Sequence, residues 1–87
     1  PTSPTPPMAP TTTASYKRFL DRLRAARREA GLTQVEVSKR LGRPQSFVSK
    51  CESGERRVDV VELASFAKLY RKPVSHFVDD RTLGGQA

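Results

Sequence analysis

An all-α fold of five short helices is what this sequence predicts, and three observations predict it. Apolar residues recur at three- and four-residue spacing from Phe19 onward, the period of a helix with one buried face. Two tetrads, TQVE at 33–36 and DVVE at 59–62, have the form of a capping box, in which a side chain at each end satisfies a backbone N–H of the other. Gly31, Gly42 and Gly54 fall where the periodic runs stop, and no segment alternates with the two-residue period of a strand.

Residues 1–15, PTSPTPPMAPTTTAS, come before the first of these elements. They are uncharged and consist almost wholly of Pro, Thr, Ser and Ala. So little apolar surface cannot offset the entropy of ordering, and a disordered tail is expected. The only methionine, Met8, falls inside this run. The natural chain therefore starts either there, with PTSPTPP an addition, or further upstream.

Helix 1 is predicted to follow Ser15 as N-cap and to run to Ala30, with Phe19, Leu20, Leu23, Ala26 and Ala30 facing the core. Gly31 stops it, and Leu32 folds back as the apolar residue after a glycine cap. Thr33 and Glu36 open helix 2, which turns Val37 and Leu41 inward, with Val35 near its edge. Gly42 ends that helix. Pro44 suits the first turn of helix 3, where a missing N–H costs nothing. Val48 and Cys51 are its inward residues, and it stops at Gly54. Asp59 caps helix 4, expected to run through Tyr70 and to bury Val61, Leu63, Phe66, Ala67 and Tyr70 in part. Pro73 forces a break after Lys72. A last short helix, Val74 to Val78, is anchored by Phe77. The folded domain is thus 16–79, and residues 80–87 form a flexible tail.

Charge narrows the choice of partner. Sixteen Lys and Arg against nine Asp and Glu give +7, all of it outside the uncharged tail. With a pI near 10.3 on so small a domain, a polyanion is the expected partner. One Cys cannot form an internal disulfide, and one Cys with one His cannot build a structural zinc site. No apolar run approaches the roughly 18 residues of a membrane span.

Helices 2 and 3 have about eight residues each, and a Gly-containing turn joins them. Such a pair crosses at roughly 90–120°, the helix-turn-helix geometry, in which the second helix enters the major groove of DNA. The outward residues of helix 3 suit that task. Gln45 can pair bidentately with adenine, Ser46 and Ser49 are small donors and acceptors, and Lys50 suits guanine or a phosphate. Phe47 is expected to pack, the alternative being contact with a thymine methyl. Gln34, at the start of helix 2, lies where N–H groups and the helix dipole favour an anion. With Arg43, Ser53, Arg56 and Arg57 it makes up the expected phosphate contacts, clamping the DNA backbone on both sides of helix 3.

The pattern TQxxVSxxLGxxQSxVSxxExG, followed by ELxxFA, resembles the lambda/434 repressor and Cro family, the XRE-type helix-turn-helix domains. The likeness covers about Leu20 to Phe77. It implies that Gln34 contacts a phosphate and supports Gln45, that Gln45, Ser46 and Lys50 read bases, and that Arg27 and Glu52 form a buried ion pair. Three positions depart from the family pattern. Ser38 stands where Ala is common, Cys51 replaces a larger apolar residue, and Arg71-Lys72 replaces the usual Gly-Val after helix 4.

The remaining chemistry-bearing residues have plain expectations. Arg18, Arg22, Arg24 and Arg28 form a solvated face of helix 1 that steers DNA at long range; Cys51 is a core thiol; His76 lies at the surface; Asp79-Asp80 solvate the end of the fold. No nucleophile–base set, carboxylate pair or phosphate-cradling Gly loop is present, so neither enzyme activity nor a cofactor is expected. The expected function is a cytoplasmic, nucleoid-associated regulator, a repressor binding a palindromic operator as a homodimer, with Val74, Phe77 and Val78 as its dimer surface. An antitoxin-like module holding a protein partner through its tails is the alternative, and co-purification of a second polypeptide would favour it. A basic membrane-surface protein would bind liposomes without preferring any operator.

Overall fold

The computed structural model describes residues 13–78. Four α-helices follow in order: α1 (Ala14–Glu29), α2 (Gln34–Leu41), α3 (Gln45–Ser53) and α4 (Val60–Tyr70). Among the described residues a single 3-10 turn, Val74–His76, comes last, and no strand occurs. The expectations for the tails, for Met8 and for Asp79-Asp80 lie outside the described residues.

The fifth helix is therefore one turn. Its hydrogen bonds run from the N–H of His76 to the Pro73 carbonyl (2.9 Å) and from that of Phe77 to the Val74 carbonyl (3.0 Å), the i→i+3 pattern. Helix α1 also starts earlier than expected. Thr13, not Ser15, is the N-cap, its hydroxyl accepting from the Tyr16 N–H at 3.1 Å, so the folded unit begins before residue 16. By type Ser15 is the slightly better cap, so residue preference does not select Thr13. Capping at Thr13 sets Tyr16 inside the first turn, and the Tyr16 hydroxyl accepts from the Val58 N–H at 3.0 Å.

Both capping boxes form as the tetrads predict, at Thr33–Glu36 and at Asp59–Glu62. The helix ends are equally regular. At α1 the N–H of Gly31 reaches the Arg28 carbonyl and that of Leu32 reaches the Arg27 carbonyl, with Gly31 left-handed at φ 74°. Ala30 is the C-cap and is exposed, so the core face of α1 ends at Ala26. Helix α4 closes in the same way with Arg71 in the glycine position, at φ 59° and ψ 44°. An L-residue in that conformation costs about 1 kcal/mol. Glycine recovers only part of it, because it gains freedom in the unfolded chain. Arg71→Gly is expected to raise stability by about 0.5 kcal/mol, read as a higher urea midpoint at unchanged slope. A lower midpoint would mean that the Arg71 side chain stabilises the fold by more than its backbone costs.

The core takes Phe19, Leu20, Leu23 and Ala26 from α1, Val37 from α2, and Phe47, Val48 and Cys51 from α3. Helix α4 adds Leu63, Phe66, Ala67 and Tyr70, and Phe77 closes the end. Phe47 stacks on Phe66 with ring centroids 6.3 Å apart, and Phe77 meets Phe19 edge-on at 6.5 Å. Cys51 is fully buried, and burial pushes its thiol pKa up to about 11, which fits a core thiol. Two residues differ in burial from expectation. Val61 is 71% exposed beside Val60 at 74%, because the α4 stripe facing the core begins at Leu63. Phe77, expected on a dimer surface, is fully buried against Phe19 and belongs to the core.

Candidate nucleic-acid interface

The turn between α2 and α3 is built from three residues with different tasks. Gly42 is left-handed at φ 69°, and its N–H bonds the Lys39 carbonyl while that of Arg43 bonds the Ser38 carbonyl. Pro44 is extended (φ −65°, ψ 155°) and serves as N-cap, one position earlier than expected, so Gln45 is the first helical residue. The two helices pack on each other, and each contributes a fully buried valine to the core, Val37 from α2 and Val48 from α3.

Helix α3 then divides cleanly. Phe47, Val48, Cys51 and Glu52 are buried, whereas Gln45, Ser46, Ser49, Lys50 and Ser53 are exposed. The exposed residues recur at four-residue spacing and share one face, so four side chains named as base readers stand together and uncovered. Phe47 is a core residue, as its expected packing requires.

The five residues named for phosphate sort into groups that their sequence positions do not suggest. Gln34 and Ser53 share a groove with Ser49, walled by Arg24, Arg28 and the Arg27–Glu52 pair. There the Gln34 amide donates to Glu52 Oε1 at 3.1 Å. The Ser53 hydroxyl is engaged locally, donating to the Lys50 carbonyl at 3.2 Å and accepting from the Glu55 N–H at 3.3 Å. Arg43 and Arg56, from opposite ends of α3, meet over the Phe47 ring at 4.3 and 5.0 Å from its centroid. Both direct Nη2 at Glu62 Oε2, Arg43 at 3.8 Å and Arg56 in direct hydrogen bond. Arg57 turns the other way and lies over the Tyr16 ring at 4.6 Å. Gln34 and Ser53 thus lie on one flank of α3, and the expectation that they oppose each other across it does not hold.

Beneath the surface, Arg27 Nε donates to Glu52 Oε2 at 2.7 Å and Arg27 Nη2 to Glu52 Oε1 at 3.2 Å, while Arg27 Nη1 reaches the Leu32 carbonyl at 3.0 Å. The Glu52 hydrogen bond pushes the Arg27 pKa further up, with burial opposing it. One carboxylate therefore ties α1 and the first residue of α2 to α3, and Arg27 carries the link on to the α1–α2 turn.

Two arginines of α1 do more than face solvent. Arg24 Nη1 donates to the Glu52 carbonyl at 2.6 Å, satisfying a C-terminal group of α3, and Arg22 Nη1 donates to the His76 carbonyl at 2.8 Å. Sequence reasoning missed both, because their partners lie far along the chain and any basic helix face looks alike. Among the described residues, no group of three or more His, Cys, Asp or Glu is placed to hold a metal ion, and no helix is long and apolar enough to cross a membrane.

Two helices joined by a glycine turn, braced by α1 and α4 and presenting one polar face of the second, define a helix-turn-helix DNA-binding domain. Residues 18–76 match the family model described as a helix-turn-helix domain, and the chain belongs to that family, within the XRE and Cro/C1-like group. Among curated proteins no match was found.

Proposed function

We propose that the chain is a sequence-specific, cytoplasmic regulator of transcription, a repressor that places α3 in the major groove of a palindromic operator as a homodimer. The observation that carries this reading is the uncovered face formed by Gln45, Ser46, Ser49 and Lys50. These are short or flexible hydrogen-bonding side chains with no buried role, set on a rigid helix. Gln34, Arg43, Ser53, Arg56 and Arg57 hold phosphates along both flanks and fix the register.

A single domain reads only a few base pairs, so specificity requires two copies on half-sites about 34 Å apart. With Phe77 in the core, Val74 and the half-buried Val78 remain from the expected dimer surface. Val60 and Val61 are the more exposed apolar pair and favour a protein contact at the start of α4. Glutamate at Val61 and, separately, at Val74 tests the two surfaces by oligomer mass.

Selection of bound sequences from a random DNA pool, with mass measured alongside, tests the whole reading. Recovery of a two-fold symmetric site by a dimer is the expected result; recovery of no preferred sequence overturns it. A second polypeptide co-purifying with the chain would favour the antitoxin-like alternative. Arg57→Ala is expected to weaken all sequences alike and to flatten the slope of log K against log salt by about one unit. An unchanged slope removes Arg57 from the phosphate contacts.

A further inference from the structure

We infer that Glu62 is a built-in competitor for phosphate, a carboxylate that holds Arg56 and Arg43 paired in the free protein and releases Arg56 to DNA. The inference rests on the reading that the flanks of α3 bind phosphate, and it concerns what those arginines do before DNA arrives.

The Glu62 carboxylate is divided between two tasks. Oε1 accepts from the Asp59 N–H at 3.1 Å and completes the α4 capping box. Oε2 accepts from Arg56 and faces Arg43 Nη2 at 3.8 Å. Both guanidiniums also lie over the same Phe47 ring. Two cations on one ring repel each other, and Glu62 is the negative charge between them.

A DNA phosphate offers a guanidinium the same charge-assisted acceptor as this carboxylate. The Arg56 donors therefore cannot be given fully to phosphate while Glu62 retains them. Arg56 and Arg43 are each more than two-fifths exposed, whereas Glu62 is one-tenth exposed and fixed by its cap. The arginine is the partner free to move. The three residues together present one net positive charge to DNA in place of two, which lowers the sequence-independent part of binding.

Glu62→Gln isolates this role, because Gln still closes a capping box while its amide offers Arg56 no charged acceptor. Affinities for a random duplex are measured over a range of salt for the wild type, for Glu62→Gln and for Glu55→Gln, an exposed carboxylate in the loop that carries Arg56. The expected result is tighter binding by Glu62→Gln, about tenfold at low salt, with the salt slope steeper by about one unit. Glu55→Gln should gain less and keep the wild-type slope. In an Arg56→Ala background the gain from Glu62→Gln should vanish. A gain equal to that of Glu55→Gln, or one that persists without Arg56, overturns the inference. Failure of the wild type to bind duplex DNA would instead overturn the functional reading beneath it. Should Glu62→Gln not fold, the intact protein carrying carbon-13-labelled glutamate gives the answer. The Glu62 carboxylate resonance is expected to shift as duplex is added, and an unmoved resonance in the bound protein overturns the inference.

Discussion

Truncating Glu52 to alanine is expected to cost about 3–5 kcal/mol of folding stability, as much as emptying a core aromatic. The side chain is 2% exposed, and its two oxygens accept two hydrogen bonds from Arg27 and one from Gln34. Alanine would leave the Arg27 guanidinium, itself only 13% exposed, as a charge shielded from water with one remaining acceptor at the Leu32 carbonyl. A domain of this size has only on the order of 5 kcal/mol in total, so the variant should be largely unfolded at 25 °C. Urea unfolding measures the loss. A value below about 1 kcal/mol would place the pair among ordinary surface ion pairs. The change also reaches the DNA face, because Gln34 loses the group that holds its amide. Any Glu52→Ala that remains folded should therefore bind all DNA sequences more weakly.

Gln45→Ala is expected to leave stability intact and to lose about 1–3 kcal/mol on the preferred operator, with little change on random DNA. Gln45 is exposed at the first position of α3, where its removal empties no core space. A bidentate contact with one base would vanish, while the phosphate contacts along the flanks would persist. Binding to both duplexes, measured at one salt concentration, separates the outcomes. Equal losses on the two would show that Gln45 supports general binding and reads no base.

The helix-turn-helix itself was legible from residues close together in the chain. TQVE and DVVE announce helix starts, and Gly31 and Gly42 announce stops, because caps are satisfied by groups within one turn. The periodic spacing likewise separates Val48 and Cys51 from Ser46 and Ser49. Where the reading failed, the deciding contact was remote. Nothing local favoured Thr13 over Ser15 until Tyr16 met Val58, and Val61 looked buried until α4 settled with Leu63 inward. Phe77 offered itself as a dimer anchor because nothing nearby in sequence shows that Phe19 covers it. The Arg27–Glu52 pairing was implied by the family resemblance and by no local signal.

By itself, then, the sequence determined the helices, their order, the turn that joins α2 to α3, and the polar face of α3. These depend on hydrogen bonds and periodicities spanning three or four residues. Tertiary structure alone decided how the charges are used. Arg43 and Arg56 converge on Phe47 and Glu62, Gln34 joins Ser53 in one groove, and Arg24 closes the end of α3. Arginine side chains are long, and a partner such as the Glu52 carbonyl of Arg24 lies 28 residues away, so only the packing of the helices brings donor and acceptor together.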